Sequence, residues 1–293
     1  MILVADSGST KSDWILIDKD NNQYNTYTMG FNPFFHSTEL VEEKLNENEL
    51  FKEKKDEVSE VYFYGAGCSS VSRNKIIEDG LRRVFTNALL ILVDHDLTGA
   101  ALATTEGEKG ISCIIGTGSN SCYFDGIKTH EEVPALGYIL GDEGSGSYFG
   151  KILLSEWLYH RMPEELSTKF EQEYNLTKEG IFEAVHHKPN PNVYLASFMP
   201  FVSANYSHPY LKDMMYQGLA KFINIHVWCY ANFRDVPVHF VGSIAYYFKD
   251  VLEELARNHR FTVGKIEKRP IDPLAIYQYN KSKKLDESES VHL

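Results

Sequence analysis

The chain has 293 residues, 43% of them hydrophobic and 24% charged, with 20 glycines, 10 prolines and a formal net charge of −12. That balance excludes a collagen-like, disordered or low-complexity chain, and so acidic a surface repels nucleic-acid phosphates. Its most apolar run, residues 88–93, is far too short to span a bilayer, and the N-terminus shows no signal-peptide pattern. Cys68, Cys113, Cys122 and Cys229 form no C-x-x-C pair, so they read as reduced thiols of a cytoplasmic protein.

In chain order, residues 1–5 read as a strand, 7–10 as a turn, and 13–17 and 23–29 as two more strands. A helix is predicted over about 37–54, a strand over 58–64 and a helix around residues 76–85. A buried strand over 89–93 and a small-residue helix over 97–104 follow. The polar, Gly-bearing stretch 105–110 marks a boundary, which predicts domains 1–108 and 109–293. The pattern then restarts, with a strand over 111–115, a turn over 116–119 and a strand over 121–124. Residues 137–140 are a further strand candidate, 147–159 a helix, and 161–210 an insertion. An amphipathic helix spans about 214–230, a strand 238–241, and a helix runs on to about 258. Residues 281–293 are charged and read as frayed.

Both halves open with strand, Gly/Ser/Thr turn, strand. The turns are Asp6-Ser7-Gly8-Ser9-Thr10 and Gly116-Thr117-Gly118-Ser119-Asn120. Such turns aim several backbone N–H groups at one point and bind phosphate without a basic surface. Either could simply close a hairpin; two at matching positions favour the phosphate role. Facing hairpins would line a cleft. Asp6, at a strand end, is placed to hold hydrated Mg²⁺, and Lys11 to reach a phosphate oxygen. The P-loop, dinucleotide-fold, nucleophile-elbow and zinc-protease motifs are all absent.

Gly141-Asp142-Glu143-Gly144-Ser145-Gly146 precedes a helix. It offers N-caps in Asp142 or Ser145 and more glycine and acid than a cap needs. Gly242-Ser243 turns a strand into a helix. Asp94-His95-Asp96 ends a buried strand, where a carboxylate suits a general base and equally an N-cap; Gly99 and Ala100 would let the following helix approach a ligand. His186-His187 reads as surface or packing.

These segments together resemble the acetate and sugar kinase/Hsp70/actin superfamily, and within it the N-acetylglucosamine kinase branch of the BadF/BadG-type ATPases. The resemblance implies an α/β protein of two ribonuclease-H-like domains, the second with a helical insertion, binding Mg²⁺·ATP and an amino sugar between them. It assigns ATP to Ser9, Thr10, Lys11, Thr117, Gly118, Gly242 and Ser243, the metal to Asp6, and the sugar to Asn32, Asn120, Asp142 and Ser145. The catalytic base maps to Asp96 rather than Asp94, and the accepting group to the 6-hydroxyl. A homodimer is compatible with it; nucleic acid and membrane partners are not implied.

The chain departs from the family in Pro134-Ala135-Leu136-Gly137, which stands where related kinases often carry Gly-Gly-Trp-Gly. Losing that aromatic wall makes N-acetylmuramic acid an alternative to N-acetylglucosamine. Two other classes share the scaffold. One is the ATPase activators of 2-hydroxyacyl-CoA dehydratase type enzymes, whose [4Fe–4S] cluster would call on Cys68 with Cys113 or Cys122. The other is a non-catalytic sugar sensor.

Overall fold

The computed structural model describes residues 1–8 and 10–290, with the side chains of 285–290 left aside. The chain packs as two compact units. One comprises Met1–Glu108, Gly126–Thr129 and the chain from Arg269; the other comprises Lys109–Asp125 and His130–Lys268.

The first unit begins with β1 (Ile2–Ser7), β2 (Lys11–Ile17) and β3 (Gln23–Met29), followed by α1 (Thr38–Asn46) and α2 (Glu49–Lys54). The expected single helix over 37–54 is broken because the Asn48 side chain accepts from the amides of Leu50 and Phe51, which caps a new helix there. Then come β4 (Glu60–Gly65), α3 (Val71–Val84), β5 (Leu90–His95) and α4 (Asp96–Thr105). The sheet order is β3-β2-β1-β4-β5, with β1–β2 and β2–β3 antiparallel and β1–β4 and β4–β5 parallel. Trp14 packs edge-on against Phe31 and Phe51 at the centre of its core.

The second unit repeats that plan. Its strands are β6 (Gly110–Ile115), β7 (Ser119–Phe124), the two-residue β8 (Thr129–His130), β9 (Val238–Val241) and β10 (Val263–Glu267), in the order β10-β9-β6-β7-β8. With β6, β7 and β8 standing for β1, β2 and β3, the two orders are the same. This is the ribonuclease-H-like topology that the family resemblance implies. Seven helices separate β8 from β9: α5 (Gly137–Leu140), α6 (Gly146–Leu158), α7 (Glu164–Tyr174), α8 (Lys178–His186), α9 (Pro191–Ala196), α10 (Met199–Ala204) and α11 (Pro209–His226). Residues 137–140 are thus a helical turn rather than a strand. The insertion at 161–210 is helical because it has its own apolar faces, with Leu166, Phe170, Leu195, Phe198 and Phe201 buried together. After β9 come α12 (Ser243–Tyr247) and α13 (Lys249–His259), ahead of β10.

The last element, α14 (Ile271–Ser290), corrects the expected boundaries, since it belongs with the first unit and not with 109–268. Ile271, Leu274 and Ala275 are fully buried. Leu274 lies over Gly99 of α4, Gln278 donates to the Tyr64 hydroxyl and Ser282 to Glu60. Its helical course to residue 290 also replaces the frayed tail; residues 291–293 lie outside the described residues. Among the described residues no helix is long and apolar enough to cross a membrane.

If α14 closes the first core, Leu274→Ala leaves a cavity against Gly99 and Tyr64. The expected loss is ~2–5 kcal/mol of stability, read by urea unfolding. A loss within experimental error would show that α14 is peripheral.

Candidate functional site

In the first unit the chemistry collects at the carboxyl ends of the parallel strands. Register sets Asp6 beside Tyr64, and Tyr64 beside Asp94, across β1, β4 and β5. Asp96 opens α4 immediately after β5. The hydroxyl of Ser7 binds the amide of Phe31 at 3.0 Å and receives Ser12 Oγ at 2.6 Å. These buried bonds anchor the loop carrying Asn32 to the hairpin carrying Asp6.

Asp6 is partly buried, and its carboxyl is raised from the ordinary 3.8 to about 7. Burial is the main cause, followed by the charges of Asp96 and Asp13, with Arg269 opposing. Asp6 and Asp96, the expected metal and base residues, are therefore electrostatic neighbours. Asp13 is already neutralised, by Lys11 at 2.7 Å and Arg269 at 3.5 Å. Arg269 is a residue that sequence reasoning missed: it precedes α14, and only the docking of that helix brings it to β2.

Lys11 also lies 4.8 Å from the centroid of Tyr27, half-exposed. Thr10 is exposed, and its carbonyl accepts from Gly30. Ser9 lies outside the described residues. Asn32 uses Oδ1 to accept the amide of Phe34 at 3.0 Å, and its own amide donates to His36 Nδ1; its Nδ2 donors are not used in these bonds. Asp96 Oδ1 accepts the Leu97 amide at 2.9 Å and sits 3.0 Å from His95 Nδ1. It is His95 that caps α4, which leaves Asp96 in the first turn, where the helix dipole favours negative charge. Asp94 is spent on the strand end, accepting the His95 amide at 2.7 Å. Gly99 is packed against the protein itself, where a Cβ would lie 2.7 Å from Tyr64 Cβ, and Ala100 is buried.

In the second unit the 116–119 turn is held from below. Its carbonyls at Gly116 and Thr117 accept the amides of Gly146 and Ser147, the first residues of α6, at 2.8 and 3.0 Å. Among the described residues, no bond engages the amides of Thr117 and Gly118. Asp142 takes a left-handed φ of 56° and lies against Gly118, where Oδ1 accepts the Ser119 amide at 3.3 Å. Burial raises its carboxyl, while the Ser119 bond and the charge of Lys151 pull it back.

Ser145 is fully buried, caps α6 through Tyr148 N and bonds Ser147 Oγ; the cap reading describes it. Asn120 bonds its neighbouring amide at Ser121 and reaches Glu131 at 3.4 Å. Gly242 has φ 116°, and a Cβ would sit 2.4 Å from Ile115 O. Glycine is required for α12 to start against the 116–119 turn; Ser243, its first residue, is exposed. The sequence offers Glu143 as an acid of this segment without a role of its own. Its side chain lies 3.6 Å from buried His226 and 3.8 Å from Lys221, both on α11, which holds the 141–145 loop from a helix far along the chain.

Cys68, Cys113 and Cys122 are buried. Burial, aided by Asp96 and Asp94, pushes the Cys68 thiol up to about 12, and burial likewise holds Cys113 high. These are inert core thiols. Among the described residues no group of three or more His, Cys, Asp or Glu is placed to hold a metal. The site fits a divalent ion carried by phosphates with one protein carboxylate, and the strained charge of Asp6 fits that role.

No family model matches the chain, and no curated protein matches it. Solved structures do. A "putative N-acetylglucosamine kinase" from Porphyromonas gingivalis is 37% identical, with 96% of this chain and 99% of that one covered and a TM-score of 0.91. Another so described, from Chromobacterium violaceum, is 15% identical over 94% and 98%, with a TM-score of 0.70. A ROK family glucokinase from Streptomyces griseus, in complex with glucose and AMPPNP, is 13% identical over 94% and 97%, with a TM-score of 0.53; at these lower identities the likeness is one of fold.

The raised Asp6 pKa has a thermodynamic sign. The unfolded carboxyl ionises near 3.8 and the folded one near 7, so the folded state binds more protons between them and stability falls as pH rises through that window. Asp6→Asn is expected to melt above the parent at about pH 8, with the gap closing at about pH 4. Thermal unfolding at both pH values checks this; an equal gap at both would show that the Asp6 charge is unstrained.

Proposed function

Because the chain belongs to the family of the Porphyromonas gingivalis protein, sugar kinases on the actin-like ATPase fold, we propose that it phosphorylates the 6-hydroxyl of an N-acetylated amino sugar from ATP, with N-acetylglucosamine as the reference substrate. Within the superfamily we assign it to the BadF/BadG-type branch, on its Asp-x-Gly-x-Thr, Gly-Thr-Gly-Ser-Asn and Gly-Asp-Glu-Gly-Ser motifs, and we assign it to the cytoplasm. The observation that carries the reading is the pairing of Asp6 with Asp96 at one sheet end, beside the anchored Asn32 loop.

Asp96 accepts the proton of the sugar hydroxyl as that oxygen bonds to the γ-phosphorus and ADP departs. Asn32 donates to a sugar hydroxyl through Nδ2. Asp142 and Asn120 serve the sugar from the second unit. The amides of Thr117 and Gly118 hold phosphate oxygens, as do Thr10 and Lys11 of the first turn, and Gly242 with Ser243 receives the adenosine end. Asp6 would hold the Mg²⁺ that accompanies ATP, which would supply neutralisation of phosphate charge. Catalysis is then positioning plus charge stabilisation.

The base assignment separates two neighbouring carboxylates. Asp96→Asn is expected to lower kcat by ~10²-fold or more with ATP affinity little changed, whereas Asp94→Asn, which loses only a strand-end bond, is milder. Coupled ADP detection beside nucleotide calorimetry checks this, and an Asp96→Asn enzyme within a few-fold of the parent overturns the assignment.

On a sugar panel, N-acetylglucosamine or N-acetylmuramic acid is expected to exceed glucose in kcat/KM. Glucose equal to or better than both removes the N-acetyl assignment.

A further inference from the structure

Beside Asn32 the first unit holds a group that the reaction above does not use. Residues 32–36 and 67–73 meet at Gly67, whose φ is 81° and whose Cβ, if present, would lie 2.5 Å from Asn32 Oδ1 and 2.9 Å from Phe34 Cδ2. Phe34 and Phe35 stay 55% and 81% exposed there. The Arg73 guanidinium is stacked on Phe34, 3.7 Å from the ring centroid, and Nη1 donates to Ser69 Oγ at 3.1 Å.

Three arginines lie on α3. Arg82 pairs with Glu78, and Arg83 with Glu39 and Glu42. Among the described residues no carboxylate pairs with Arg73. In a chain of net charge −12, Arg73 thus stays clear of the acids that engage the other two arginines of α3, held over an aromatic ring, with most of its five donors unused. A planar guanidinium so held is pre-organised for a two-point bond to a carboxylate, and the exposed rings offer an apolar face to the carbon skeleton that bears it.

We propose that Arg73 and Phe34 form a subsite for a carboxylate carried by the sugar, so that the enzyme prefers an N-acetylated amino sugar with an acidic substituent over its neutral parent. Arg73 is then a specificity-determining residue. The proposal rests on the reading of Asn32 as a sugar contact, since the loop that carries Asn32 also carries Phe34.

The test compares N-acetylmuramic acid, its carboxyl methyl ester and N-acetylglucosamine on the parent, Arg73→Met and Arg73→Lys. Turnover is read by ADP release and binding of the acid by calorimetry. In the parent, kcat/KM for the acid is expected to exceed that for the ester and for N-acetylglucosamine by about tenfold or more, the scale of one charge-assisted contact. Arg73→Met should collapse that ratio toward one, and Arg73→Lys, which keeps the charge but not the fork, should fall between. A parent ratio near or below one, or a ratio kept in Arg73→Met, overturns the subsite while the kinase reading stands. Binding of the acid that depends on Arg73 without phosphorylation of any of the sugars supports the subsite and overturns the amino-sugar kinase reading. Neither binding nor turnover overturns both.

Discussion

The first unit is organised around a repulsion. Asp6, Asp13 and Asp96 stand at one end of a single sheet, close enough that burial and mutual charge lift Asp6 to about 7. Each carboxylate is forced into place by elements that cannot easily yield. Asp6 ends a buried central strand, Asp13 lies opposite it in the hairpin, and Asp96 begins a helix packed under α14. Like charges gathered out of water are unfavourable for folding, and structures tolerate them where a ligand supplies the opposite charge. Lys11 and Arg269 relieve Asp13. Asp6 keeps its strain, which suits a group that meets a phosphate-bound cation.

The second unit solves a different problem, that of offering neutral donors. Its 116–119 turn is fixed through its carbonyls, which accept the first amides of α6, and through Asp142, which accepts from Ser119. Tying down the acceptors leaves the donors of Thr117 and Gly118 unspent. A −12 chain can thereby hold an anion with backbone dipoles instead of a basic surface. Glu143, held by Lys221 and His226, and the glycine at 242 stiffen the two segments that pack on this turn.

The two halves share one strand order, yet they specialise. The first carries Asp6, Asp13 and Asp96, the Asn32 loop, and Arg73 over Phe34. The second carries the 116–119 turn and seven helices between β8 and β9, which share one large apolar core with β6 and β9. Short surface segments such as 32–36 and 67–73 lie outside both sheets, so they can vary without disturbing either.

By itself the sequence determined the repeat and the two turns, and it marked Asp6, Asp94 and Asp96 as carboxylates at strand ends, because each is a local signal; Asn32, and Asp96 over Asp94, came only with the family resemblance. Alternating or apolar runs make strands, Gly/Ser/Thr clusters make turns, and a carboxylate at a strand end is visible in one window of residues. It could not place α14, whose apolar residues Ile271, Leu274 and Ala275 have no partner nearby in the chain; their partner, α4, lies some 170 residues earlier and only the fold joins them. The same holds for Arg269, for Glu143 with His226, and for Arg73 on Phe34, all pairings across loops. Tertiary structure also chose between local alternatives. It spent Ser145 and Asp94 on caps and strand ends, packed Gly99 against Tyr64, and split residues 37–54 at Asn48. For Gly99 the deciding quantity was a packing distance to Tyr64 on β4; for Asp94, Ser145 and Asn48 it was a hydrogen bond to an amide within three residues, which the sequence permits and the folded backbone realises.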